Sequence, residues 1–136
     1  MIRPFVVVAA VAVFVVAIVV AGVSRDTGND LVSRMSVTEA FARAGEPLTI
    51  RLDMAQGDRG SPVDVIYVPK AEDVSEPPFE VDVFKKAASA REHARLVRSV
   101  AGSATEVEQR KNVLLIFSSS LSDQRRARII GALRSL

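Results

Sequence analysis

The chain contains no cysteine and no tryptophan, and only one tyrosine and one histidine. Without cysteine it forms no disulfide, no thiolate metal site and no lipid-modified cysteine anchor. Exported to an oxidising compartment, such a domain is held by its core alone. One histidine and no cysteine exclude the usual zinc ligand sets. Charge of one sign is also scarce: 18 basic residues face 16 acidic ones. Setting Arg3 aside leaves the remainder at about +1, too weak a field to draw it onto nucleic acid. The few aromatics leave little for bases or sugars to stack on, so no nucleic-acid partner is expected. Arginine outnumbers lysine 14 to 4, which reads as codon bias in a GC-rich bacterial genome.

Chemical motifs are equally sparse. No glycine-rich turn carries a following Lys-Ser/Thr, which excludes a phosphate loop. No serine sits in a G-x-S-x-G elbow, and there is no N-x-S/T sequon. No cofactor, resident metal or catalytic set is expected, and the chain does not read as an enzyme.

What is present is an apolar run. Phe5 to Val23, FVVVAAVAVFVVAIVVAGV, holds nineteen residues without a charged, amide or hydroxyl side chain. As a helix it would span roughly 28 Å at about 1.5 Å per residue, close to the hydrocarbon thickness of a bilayer. It is longer than the apolar stretch of a cleavable signal peptide, although Val19-Val20-Ala21 and Val20-Ala21-Gly22 offer small-residue ends. A retained anchor is the favoured reading. Arg3 precedes the run, whereas Arg25 after it is offset by Asp26 and Asp30. Positive flanks stay cytoplasmic. The expectation is a single-pass protein of the cell membrane, amino terminus inside, with an extracytoplasmic domain. Residues 1–23 are the anchor, 24–35 a tether and helix start, and 36–136 the domain.

The domain alternates elements with clear punctuation. Ser36-Val37-Thr38-Glu39 fits a capping box, with Val37, Phe41 and Ala44 on one helical face and Gly45 and Pro47 ending the helix. LTIRLDM (48–54) alternates as a half-buried strand, with Leu48, Ile50, Leu52 and Met54 on one side. VDVIYV (63–68) and FEVDVF (79–84) are further strands, separated by turn-rich loops. Ala87 to Ala101 reads as a helix with an alanine-rich face. Gly102 to Lys111 reads as a polar connector. VLLIF (113–117) has no alternation, which suits a strand covered on both faces. Ser122 caps a last helix. The fold class is α+β: a small two-layer domain in the order α-β-β-β-α-β-α.

Candidate sites compete with ordinary structural roles. His93 with Ser118 to Ser120 and Glu92 or Asp123 could compose a nucleophile, base and acid; an exposed helix histidine and a serine turn explain them as well. Asp53 and Asp58 are a sparse oxygen set without EF-hand spacing. Glu80 and Asp82 share a strand face; a solvated face accounts for them. The candidate interaction patch has two components. Ile66, Val68 and Phe84 are apolar on the second sheet face, which either the Ser36 helix covers or a partner does. Arg91, Arg95 and Arg98, with Arg125 and Arg128, would merge into one basic surface if both later helices packed on one face, where an anionic phospholipid or cell-wall polyanion would be attracted.

EAFARAGEPL, FEVDVFKKAASAREHARLV and KNVLLIFSSS followed by RRARIIGALRSL resemble a loose pattern of small exported bacterial proteins of unknown function. The resemblance implies this topology and supplies no activity; many such proteins carry a lipid-attachment cysteine that this chain lacks. The expected function is a non-catalytic interaction module of the cell envelope, meeting an envelope protein or a second copy. The alternative is a domain binding or sensing a small molecule or lipid.

Overall fold

The computed structural model describes residues 31–54, 60–70 and 76–136. The apolar run, and Asp58 of the oxygen set, lie outside them. Among the described residues no helix is long and apolar enough to cross a membrane.

Val113–Ser118 (β5) is buried along its whole length, as its unbroken apolar sequence requires. It pairs with Phe79–Phe84 (β3) on one side and Thr105–Arg110 (β4) on the other. Val63–Pro69 (β2) and Leu48–Asp53 (β1) complete an antiparallel sheet of order β1-β2-β3-β5-β4. Among the described residues three α-helices cover it: Arg34–Arg43 (α1), Ala87–Val100 (α2) and Asp123–Arg134 (α3). The α+β class holds. The order differs from the expected one by a strand, because the polar connector contains β4. TEVEQR has one apolar residue, Val107, and that side chain packs against the core under α2. An edge strand needs no more, and its charges leave the outer edge unattractive to other strands.

The layering also differs from the two-layer expectation. Ile66, Phe84, Leu114 and Ile116 form one core with Ala90, Ala94 and Val97 of α2. Val65, Tyr67, Val81, Val83, Leu115 and Phe117 form the other with Val37 and Phe41 of α1 and Ile129 and Leu133 of α3. The helices therefore lie on both faces of the sheet. The Ser36 helix covers the face opposite the one it was a candidate for. Phe41 stacks on Phe79 at 6.1 Å between centroids, and burying such a ring stabilises by about 2–3 kcal/mol.

Local chemistry ends the helices. Ser33, not Ser36, caps α1, its hydroxyl accepting from the Ser36 amide at 3.1 Å. The capping box read from the sequence begins one turn inside the helix. At the other end the Glu46 amide reaches Phe41 O at 2.8 Å and the Gly45 amide reaches Ala42 O at 3.0 Å, with Gly45 at φ +83°. That is a Schellman closure, which favours glycine for its left-handed backbone. Ser122 caps α3 as expected, accepting from the Arg125 amide at 3.2 Å.

Strand β1 departs from strict alternation. Its register with β2 shifts between Ile50 and Leu52, a bulge that changes which face the following residues meet. Leu48 consequently packs in the core under α1 and α3, and Met54 in the core under α2. Ile50 and Leu52 remain 51% and 41% exposed. β4 and β5 are joined by a two-residue turn, Lys111-Asn112, with Lys111 at φ +52°, as tight hairpins demand.

Candidate functional site

β3 is the middle strand of five and sealed on both faces, so all six of its residues are buried. Alternation aims Glu80 and Asp82 at the same face as Phe84, under α2. Both carboxyl groups are 0% exposed, contrary to the solvated face expected of them. His93 descends onto them from α2 and is itself 0% exposed, contrary to its reading as a surface residue. Its Nε2 lies 3.9 Å from Asp82 Oδ2, and its ring stands edge-on to Phe84 at 5.0 Å between centroids. Arg51, on β1, approaches Glu80 at 4.0 Å. None of the four carboxyl oxygens and neither ring nitrogen has a hydrogen-bond partner.

Such a cluster is electrically costly, because desolvation disfavours every charged form. Burial pushes both carboxyls above their ordinary range. Asp82 moves further, since the neighbouring Glu80 charge adds to burial. Arg51 pulls the other way for both. Glu80, beside Arg51, is the better seat for a negative charge, and Asp82 the better seat for a proton. Burial pushes the His93 imidazole down to about 4, so it is neutral at neutral pH. Among the described residues no group of three metal-ligating side chains is placed to hold a metal ion. The helical stripe Ala90, His93, Ala94, Val97 is the signal in the sequence that His93 points inward.

The candidate serines do not join this cluster. The Ser118 hydroxyl lies 2.7 Å from that of Ser120 and accepts from the Ser120 amide at 3.1 Å, which is turn chemistry. Asp53 is taken up by Arg34, which grips Asp53 at 2.9 Å and Asp64 at 2.7 Å. Those hydrogen bonds, to Asp64 first, raise the Arg34 basicity further.

The interaction patch does not assemble as a surface. Ile66, Val68 and Phe84 are buried, and the alanine face of α2 closes over Ile66 and Phe84. Arg91, Arg95 and Arg98 lie on exposed positions of α2. Arg95 pairs with Glu92 at 2.9 Å, and Arg98 reaches Val107 O at 3.4 Å. Arg125 and Arg128 sit on α3, across the sheet, so the two clusters cannot merge. Arg125 and Arg128 meet the buried Glu46 at 2.9 and 3.6 Å, and Arg125 also lies over the Phe79 ring at 5.6 Å. They tie the end of α1 to the start of α3. Arg126 pairs with Glu106 across the edge of β4.

Asn112 is a residue that sequence reasoning passed over. Its Oδ1 accepts from the Val32 amide at 2.6 Å, and its Nδ2 donates to Val32 O at 3.2 Å and Phe84 O at 2.9 Å. The amide side chain imitates a strand and pins the incoming chain to the β4–β5 turn. Beside it opens a shallow cleft of about 400 Å³, lined by Leu31, Arg34, Asp64, Phe84, Lys85 and Asn112 among others.

Compared with known proteins, the chain matches no family model, no curated protein and no solved structure.

Proposed function

We propose that the protein is a membrane-anchored, extracytoplasmic module of a bacterial cell envelope that binds a protein partner and does not catalyse a reaction. The observation that carries the binding is the edge of β1. The two sheet edges are unlike: β4 carries Glu106, Glu108 and Arg110, whereas β1 leaves Ile50 and Leu52 half exposed beside an edge that pairs only with β2 among the described strands. An extended segment of another protein adds to such an edge through main-chain hydrogen bonds, and the exposed side chains select it. Glu80, Asp82 and His93, whose protonation burial perturbs, are sealed from solvent, where no substrate reaches them, which supports binding over chemistry. The run Phe5 to Val23 supports the anchor.

Cross-linking in intact cells, followed by mass spectrometry, tests this reading. A partner or a second copy should be captured through β1, and Ile50→Lys with Leu52→Lys should abolish capture without lowering thermal stability. Recovery of uncross-linked monomer alone would reject it. The cleft beside Asn112 favours a second reading, a domain that binds a small molecule. A thermal-shift screen giving a saturable rise in Tm, lost on narrowing the cleft with Ser33→Phe, would favour it.

A further inference from the structure

The Asn112 clamp determines which end of the domain the chain enters. Val32 is held at the β4–β5 turn, and the Phe84 amide reaches Asn112 O at 2.8 Å. Lys85 and Lys86 therefore leave β3 at the same end as Lys111. Arg110 lies there too, its Nε donating to Leu136 O at 3.0 Å. Lys86 and Arg110 are exposed and Lys111 half exposed. Among the described residues the acids Asp53 and Asp64 at this end are already gripped by Arg34. Among these basic side chains stand two exposed apolar ones, Leu31 at 44% and Met35 at 69%.

Seven residues, 24–30, separate the apolar run from Leu31. Fully extended they reach about 25 Å at most. With Phe5 to Val23 in a bilayer, the clamped end is the part of the domain held closest to the lipid headgroups. Among the described residues it also combines exposed and half-exposed basic side chains, Lys86, Arg110 and Lys111, with exposed apolar ones, the pairing that favours an anionic membrane surface.

We propose that this end of the domain docks on anionic phospholipid, with Lys86, Arg110 and Lys111 against the headgroups and Met35 and Leu31 dipping among them. The domain then lies on the membrane with the β1 edge presented sideways, instead of swinging on its tether. The inference rests on the anchored reading above.

The absence of cysteine makes the test direct. The full chain, as a Met35→Cys variant bearing an environment-sensitive fluorophore, is reconstituted into vesicles of phosphatidylcholine alone or mixed with phosphatidylglycerol. An Ala104→Cys probe, at the opposite end of the sheet, is the control. The Met35 probe should shift to the blue and be quenched by spin-labelled lipid in the anionic vesicles only. Lys86→Gln and Lys111→Gln should each lower the docked fraction relative to the undocked by roughly fivefold, from about 1 kcal/mol per basic residue. About 1 M salt should release the unsubstituted end by screening, with no change of sequence. A Met35 probe that stays aqueous in anionic vesicles with which the protein floats would overturn the docking while leaving the anchor intact. So would quenching indifferent to both lysines and to salt. Failure to float with either vesicle would overturn the anchor and the docking together.

Discussion

Asp82 Oδ2 and His93 Nε2 face each other 3.9 Å apart, sealed from solvent and without a hydrogen bond between them. An acid and a base so placed would ordinarily exchange a proton and form an ion pair. Here burial opposes both charges, and Glu80 opposes the Asp82 charge again. Both shifts favour the neutral forms, and stability acquires a dependence on pH from each partner.

Asp82 and Glu80 have folded pKa values raised above their unfolded ones. The stability they contribute is fully present below the unfolded values near 4 and is lost as pH rises through the folded values. Asp82→Asn removes one titration while keeping the shape. The substituted protein should gain stability relative to the original progressively as pH rises above the unfolded value near 4. Urea unfolding in mild detergent across that range measures the difference; a constant difference would refute the raised pKa.

His93 carries the opposite sign. Its folded pKa of about 4 lies below the ordinary 6.5, so its stabilising effect is present above pH 6.5 and lost as pH falls through about 4. The full difference is at most about 3.5 kcal/mol, at about 1.4 kcal/mol per pH unit. His93→Leu should flatten the acid limb of the stability profile. Retention of the same acid limb in the substituted protein would assign it elsewhere.

Asn112 holds three backbone groups with one side chain. Asn112→Ala leaves them without partners and should cost about 2–3 kcal/mol. It should also speed proteolysis at Val32, whose backbone the clamp holds. Asn112→Asp keeps the acceptor for the Val32 amide and loses both donors, so it should fall between the two. Equal cleavage rates in all three would dismiss the clamp.

What was legible in the chain is what local physics decides. Gly45 reads as a left-handed helix end because the strain belongs to its own backbone. Ser122 reads as a cap because its bond reaches only three residues along. VLLIF reads as an inner strand because a run without a polar residue has no side to show water. The α2 stripe was equally clear, and it carried His93 inward with Ala90 and Ala94, although the histidine's polarity argued for the surface.

The remainder depended on which pieces meet. TEVEQR gave no strand signal, since an edge strand buries one face against a neighbour that the segment cannot name. Strict alternation in LTIRLDM broke at a bulge set by pairing with β2. Glu80 and Asp82 look solvated in FEVDVF until a fifth strand moves β3 to the centre and α2 closes over it. The sequence by itself determined the apolar run, the glycine end of α1, the serine cap of α3 and most of the strands, because those rest on interactions a few residues long. Only the tertiary structure decided that two carboxyls and a histidine share a dry interior, and that the two arginine groups lie on opposite sides of the sheet. Those outcomes follow from the faces on which the helices land, a choice made by packing between residues far apart in the chain.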